Sequence, residues 1–434
     1  MTATVLDCIT LGYQPLWGRQ RLLSGIALFV RCLPRAAGEM QASAAYLLDA
    51  MRDLLPRDAP PVFLVAQSGP LLLDLLDQVA PREPAAPDGR GPVFATNTFL
   101  APTLVVTAEL LEGTAGVAEA VRRAHQRGLQ LVWQGSSDSP PAEDIRACFY
   151  RYWLTLPPPW AAAALLDAVK PVPFGSPAPP GRLPAGHIYS GIESRTLMEY
   201  CLDRCGALAI AGWPAEDVVY SLRHHPMQPA HTVVLATLKA LESDRSAETV
   251  ERILSEDPIL AYRFLIYANS PGLGLRSGVE SVRHGMMMLG IDTLKTWLAE
   301  QLPHASNEPA LRPINATLVI RSHLMDRLLD AGIEEALRRE VTLCGLFSGL
   351  DLLLNEHLSA ILHRLPLSHR IHEAMVLRTG PYAASLEVAL ALESADTPAI
   401  RVLCQKHEMA PGEVNRALLE MLAGLEADEA QGPG

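Results

Sequence analysis

Residues 253–302 read ILSEDPILAYRFLIYANSPGLGLRSGVESVRHGMMMLGIDTLKTWLAEQL. Asp257 followed by Pro258 suits a helix start: the carboxylate can accept from free first-turn N–H groups, and Pro at the first position loses no needed donor. Leu260, Phe264 and Leu265 then recur at helical spacing, with Ile259, Ile266 and Ala268 widening the apolar face. Asn269-Ser270-Pro271-Gly272 ends this helix, since Pro and Gly disfavour continuation and Asn and Ser bond their own backbone. A second helix runs from Ser281 to Leu289 and is stopped by Gly290. A third starts at Asp292 and buries Leu294, Trp297 and Leu298. The stretch predicts short helices packed at turns, each apolar on one side.

The surrounding sequence carries the same pattern. From Trp213 onward there is no strand periodicity. Helices are expected over Ala215–Leu222, Thr232–Leu241, Ser246–Leu254, Asn315–Leu329 and Glu334–Asn355. Another opens at Pro366–Ser368 and runs through Arg378; beyond the Gly380-Pro381 break come Tyr382–Glu393 and Pro411–Glu426. Residues 427–434 (ADEAQGPG) read as a frayed, disordered tail. The Asp257-Pro258 start, Tyr267-Ala268-Asn269-Ser270, Glu280-Ser281-Val282, Leu289-Gly290 before a Trp-containing helix, and the segment from Leu343 resemble the HDOD domain, a bacterial all-α signalling module. The resemblance implies a fold and no active site.

The chain has 434 residues, a mass of 47.0 kDa, 49 % hydrophobic and 19 % charged residues, a net charge of −12 and a pI near 5.6. That length predicts two domains, and the composition fills cores and argues against global disorder. The acidic balance opposes a main role in nucleic-acid binding, which depends on Lys and Arg neutralising phosphates. The start lacks a signal-peptide pattern, and no apolar run reaches the roughly 18 residues of a membrane span. The seven cysteines are odd in number and scattered, as expected of cytoplasmic thiols. Cys201 and Cys205 share a helix face without two further zinc ligands nearby.

In the first half, strand-like and helix-like segments alternate. Ile9–Leu16, Gly25–Arg31, Pro61–Ala66, Leu104–Thr107 and Leu129–Trp133 read as strands; Ala42–Leu55, Leu71–Val79 and Val117–Arg127 read as helices. Such alternation predicts a parallel α/β sheet or barrel. Residues 156–186 are rich in Pro and Gly and read as an irregular excursion around a helix near Ala161–Val169. Tyr13-Gln14-Pro15 with Gly18-Arg19, Gly25 through Arg31, Arg127 through Trp133, Gly191-Ile192-Glu193 and Ala211-Gly212-Trp213 resemble the EAL domain, the barrel-type phosphodiesterase module for cyclic di-GMP. The expected fold is therefore a degenerate TIM-barrel-like, EAL-like α/β domain over residues 1–212 and an all-α HDOD domain over 213–426, an EAL–HDOD bacterial signalling architecture.

The departures from the family bear on chemistry. The resemblance implies carboxylates that hold two divalent cations and orient an attacking water, and hard cations require such oxygen ligands. The family's signature glutamate falls on Ala27, its paired aspartates on Gln134 and Gly135, a later glutamate on Ser190, and the asparagine of the third strand near Val65. Glu193 alone cannot assemble a metal site. Gln14 and Arg31 stand where the family contacts the nucleotide, and Arg can bond phosphate in bidentate fashion. Their plain alternatives are a backbone-bonded turn residue and a strand-end salt bridge. Loss of the Gln-Gly pair at Ala211-Gly212 weakens the case for binding.

In the second half, Ser348-Gly349 stands where an HD phosphohydrolase would carry its His-Asp pair. His323 is an isolated candidate ligand. His357, His363, His369 and His372 invite a metal reading, but their spacing does not put three on one helix face. Asp351, on an apolar helix face, reads as a hydrogen-bonded core carboxylate. Met286-Met287-Met288 reads as partly core-facing, with an adaptable partner groove as the alternative. The expected function is a cytoplasmic, non-catalytic signal-transduction protein without cofactor, metal, nucleic-acid or membrane partner. It would act through protein–protein contacts with kinase- or cyclase-class signalling proteins. A cyclic di-GMP receptor using Gln14 and Arg31 is the alternative, and a residual metal-dependent phosphohydrolase is a third.

Overall fold

The computed structural model describes residues 5–33, 43–56, 58–80, 101–169, 183–273, 278–329 and 334–425. The chain divides into two compact units, Met1–Pro214 with Ala391–Gly434, and Ala215–Leu390. The first boundary falls two residues from the one expected. The second departs from expectation: the C-terminal helices, assigned by sequence to the helical half, group with the first unit. The proposed tail at 427–434 and much of the Pro-rich excursion lie outside the described residues.

The first unit is an α/β barrel. Its elements are β1 (Ile9–Trp17), β2 (Leu23–Cys32), α1 (Ala44–Leu54), β3 (Val62–Ala66), α2 (Gly69–Gln78), β4 (Thr103–Thr107), α3 (Ala108–Gly113), α4 (Val117–Gln126), β5 (Leu131–Ser136), α5 (Glu143–Arg146), β6 (Phe149–Thr155), α6 (Pro158–Val169), β7 (Ile188–Ser190), α7 (Arg195–Glu199) and β8 (Ala209–Ala211). Among the described residues, eight strands close in sequence order. From β2 to β8 each pairs parallel with the next, whereas β1 runs antiparallel to both β2 and β8. The sequence alternation predicted parallel strands without this exception. Its cause is the linker after β1: residues 18–22 are too few for a crossover and form a tight turn, with Gly18 N–H bonded to Leu22 O at 3.0 Å.

Inward positions alternate along each strand. Leu16, Ala27, Phe29, Phe63, Val65, Val105, Val132, Trp153, Ile188, Ala209 and Ala211 make the barrel core. The intervening residues of β2, Ile26, Leu28 and Val30, are also buried. A strand covered on both faces explains the continuous apolar run there. β6 was missed by the sequence reading because FYRYWLT interleaves Tyr and Arg with its apolar residues, yet it contributes Trp153 to the core.

The second unit is helical: α8 (Ala215–Leu222), α9 (His231–Glu242), α10 (Ala247–Leu254), α11 (Pro258–Ala268), α12 (Val282–Leu289), α13 (Ile291–Gln301), α14 (Arg312–Arg327), α15 (Glu335–Phe347), α16 (Leu350–Leu354), α17 (Leu358–Leu362), α18 (His369–His372) and most of α19 (Ala383–Leu392). The stretch expected as one helix, Glu334–Asn355, is broken at Ser348-Gly349, where the Ser348 hydroxyl donates to Gly345 O at 2.6 Å. Asp257 caps α11 as expected, its Oδ1 accepting from Leu260 N at 2.8 Å. Its Oδ2 also accepts from Ala230 N at 2.7 Å and the Asn315 amide at 3.0 Å, tying the starts of α9 and α11 to α14. The side chain of Asn269 bonds Val279 N at 2.8 Å and Val279 O at 2.9 Å, which fixes the return of the chain after α11. Trp297 packs on Phe264 and Tyr267, each with ring centroids 5.5 Å away.

Beyond α19 the chain returns to the first unit through α20 (Thr397–Lys406), which was not anticipated, and α21 (Pro411–Ala423). β8 is short and meets β1 only at Leu16 and Trp17, so the first half of β1 has an open edge on that side. Asn415 of α21 fills it. Its Oδ1 accepts from Leu11 N at 3.0 Å, and its Nδ2 donates to Leu6 O at 2.8 Å and Ile9 O at 2.9 Å. A single buried amide thus satisfies backbone groups that a full-length partner strand would otherwise pair.

Candidate functional site at the barrel mouth

The C-terminal ends of β2–β8 form one rim of the barrel. Because β1 is reversed, it contributes its N-terminal end, Ile9–Gly12, to the same rim, with Thr10 opposite Arg31 and Gly12 opposite Phe29. This mouth is where strand-end residues and loops of such barrels converge.

The structure places the expected site residues around that mouth. Gln14 lies within β1, half-buried and opposite Ala27, so it is not a turn residue. A Cβ built on Gly212 would lie 3.4 Å from Gln14 Nε2, which puts the Ala211-Gly212 segment beside it. Arg31 is exposed at the end of β2, with its Nε donating to Gln67 Oε1 at 3.4 Å. Ala27 is fully buried, and Val65 is buried in the core. Gln134 lies opposite Trp153, and both Gln134 Oε1 and Trp153 Nε1 are buried without a hydrogen-bond partner among the described residues. Ser190 and Thr155 share a hydroxyl–hydroxyl bond of 3.0 Å. Glu193 is exposed in the loop after β7.

Sequence reasoning missed Gln67. It stands just past β3 at an inward position by the alternation of Phe63 and Val65. Its Nε2 donates to Ala395 O at 2.6 Å, and its Oε1 accepts from the Thr397 hydroxyl as well as from Arg31. The partner is more than 300 residues away in sequence, which no local pattern signals.

In the helical unit the candidate histidines are only partly gathered. The rings of His363 and His372 lie 4.9 Å apart, His369 is exposed and faces Glu373 at 3.3 Å, and His357 precedes α17. Among the described residues, no three His, Cys, Asp or Glu side chains are placed to hold a metal ion. Asp351 is exposed, which corrects its reading as a core carboxylate: the break at Ser348-Gly349 turns α16 so that Leu350 and Leu353 face inward instead. His323 is exposed on α14, yet desolvation by the groups packed around its ring, reinforced by Arg327 and Arg252, holds its imidazole below the ordinary value. Burial also pushes the Asp257 carboxyl up, against the opposing hydrogen bonds from Ala230 and its own helix start. Cys201 and Cys205 are both buried, and burial with the neighbouring Cys205 pushes the Cys201 thiol up to about 12. Met286 is half-buried, while Met287 and Met288 are exposed.

Residues 227–303 match the HDOD domain family. That match covers α9 to α13 and includes the Asp257-Pro258 start and the Trp297 helix. The chain is 21 % identical over 200 residues to the cyclic di-GMP phosphodiesterase CdgJ of Vibrio cholerae, across 46 % of each protein. It is 27 % identical over 157 residues to the uncharacterized protein YuxH of Bacillus subtilis, across 35 % of this chain and 36 % of YuxH. The chain thus spans less than half the length of the curated relatives it matches. Among solved structures, the MmoQ response regulator of Methylococcus capsulatus is 19 % identical, covering 45 % of this chain and 98 % of its own with a TM-score of 0.39. The Bacillus subtilis YkuI protein, which has an EAL domain and was solved with cyclic di-GMP and calcium, is 15 % identical, covering 47 % of this chain and 54 % of its own with a TM-score of 0.27. Among the described residues, no helix is long and apolar enough to cross a membrane.

Proposed function

We propose that the chain is a non-catalytic signal-transduction protein of a cyclic di-GMP pathway, cytoplasmic, working through protein–protein contacts of its HDOD unit and its EAL-like barrel. The observation that carries this reading is the chemistry at the barrel's inward positions. Divalent cations that hold and activate a water need hard oxygen ligands, above all carboxylates. Here Ala27 offers a methyl group, Val65 an isopropyl group, Gln134 a neutral amide and Ser190 a hydroxyl already bonded to Thr155. These residues do not fit the metal pair that hydrolysis by this type of barrel requires. The partners proposed are signalling proteins of the kinase or cyclase class, consistent with an acidic chain that lacks the Lys and Arg excess of nucleic-acid binders. The reading is tested by incubating pure full-length protein with cyclic di-GMP in Mg²⁺ or Mn²⁺: the expected product yield equals that of buffer, and steady turnover overturns it.

A second reading is favoured by Gln14 and Arg31. Both stand on β1 and β2 of the mouth, Gln14 beside Gly212 and Arg31 at the exposed strand end. A guanidinium and an amide so placed can bind a phosphodiester without cleaving it. The chain would then be a receptor for cyclic di-GMP.

A further inference from the structure

One segment of chain packs against the inner side of β1 at the mouth. Gly12 shares the inward side of β1 with Leu16 and pairs with Phe29, and both of those belong to the barrel core. The three heavy atoms nearest a Cβ built on Gly12 all come from one segment: the carbonyl oxygen and carbon of Ser394 and the δ-methyl of Ile400. The arm leading into α20 therefore lies against the inner side of β1, in space that only a glycine leaves open. It is anchored on the adjacent rim by Gln67, which donates to Ala395 O at 2.6 Å and accepts from the Thr397 hydroxyl. Thr397 and Ile400 are buried there. The same Gln67 Oε1 receives Arg31 Nε. Arm and Arg31 thus meet on one amide at the corner of the mouth shared by β1, β2 and β3. The arm is moreover the continuation of α19, so it links the helical unit covalently to the mouth.

We infer that residues 394–400 are a built-in occupant of the barrel mouth, and that an anionic nucleotide seats between Arg31 and the inner side of β1 only when this arm is displaced. The inference rests on the receptor reading and adds its regulation. Ligand and arm compete for one place, so whatever shifts the arm through α19 changes affinity at the barrel. Conversely, ligand at the barrel frees the arm, as linkage requires.

Gly12→Ala separates the two ideas. Its methyl collides with the arm and leaves Arg31 untouched; Gln67→Ala removes both tethers and serves as a second variant. Cyclic di-GMP is titrated calorimetrically into the full-length wild type and both variants, and amide hydrogen exchange of 394–400 is followed with and without nucleotide. Expected are faster exchange of 394–400 in both variants and in the nucleotide-saturated wild type, and binding tightened on the order of tenfold by either substitution. Equal affinity in all three proteins while the variants' arms exchange freely overturns the inference and leaves the receptor reading standing. An arm that stays protected in both variants overturns it too, because the segment is then a fixed part of the barrel. Absence of binding in proteins whose arm exchanges freely removes the receptor reading itself, and the competition with it.

Discussion

Titratable residues desolvated by their neighbours give the helical unit a pH dependence whose sign follows from their surroundings. His323 sits within α14 with desolvation by its neighbours, Arg327 and Arg252 all opposing its protonation, and Asp326 favouring it. In the unfolded chain it titrates near the ordinary 6.5, whereas in the folded protein its value is lower. Above that ordinary value both states carry a neutral imidazole and stability is complete. As pH falls below it the unfolded state takes up the proton first, so stability declines until the folded value is passed. The expected outcome is that lowering pH from 7.5 to 5.5 reduces the urea midpoint of the helical unit, and that His323→Gln shrinks the reduction. Equal reductions in wild type and variant would show that His323 does not drive the effect. Asp257 works in the opposite sense, because a carboxyl pushed up by burial adds a cost as pH rises through the interval between its unfolded and folded values.

At the scale of elements, α14 and α15 depend on one close approach. A Cβ on Gly345 would lie 2.5 Å from Ser322 Cα and 2.7 Å from its nitrogen, both backbone atoms that cannot rotate aside. Gly345→Ala gains roughly 1 kcal/mol in helix propensity, but forcing the two helices apart costs on the order of 1–3 kcal/mol and loosens the packing around it. A lowered thermal midpoint is therefore expected, read by circular dichroism; an unchanged or raised midpoint would mean the helices separate freely. Elements of this kind were largely legible in the chain. Asp257-Pro258, Asn269 and Ser281-Gly290 announce caps and turns by their own chemistry, and the structure uses each as read. The continuous apolar run of β2 likewise marks a strand covered on both faces. What stayed hidden depends on partners rather than on periodicity. β6 alternates too polar a pattern to stand out, and the break at Ser348-Gly349 is set by a hydroxyl folding back on Gly345. Gln14 and Arg31 were singled out by the resemblance to EAL domains, whereas Gln67 and the arm it holds come from opposite ends of the chain and carry no local signal.

At the scale of the molecule, the barrel unit is discontinuous in sequence, with the helical unit inserted between β8 and the final helices. An amphipathic helix declares that it has an apolar face but not what covers it, which is why α21 was assigned by adjacency to the helical half. Its true seat is set by the shortness of β8, which leaves the start of β1 unpaired for Asn415 to complete. Asn415→Ala would leave Leu11 N–H and two carbonyls without their partner in a buried place. With each such bond worth about 1 kcal/mol, a loss near 3 kcal/mol is expected in the barrel's denaturant unfolding. A loss under roughly 0.5 kcal/mol would mean the edge needs no cover.

The central proposal is that this barrel does not hydrolyse cyclic di-GMP, since its inward positions carry Ala27, Val65, Gln134 and Ser190, none of them a carboxylate that could hold a metal pair. The most direct measurement is chromatographic detection of linear dinucleotide after prolonged incubation of full-length protein with cyclic di-GMP and saturating Mg²⁺ or Mn²⁺. The account predicts no product above the protein-free control with either metal. Metal-dependent product that accumulates in proportion to protein concentration would contradict it.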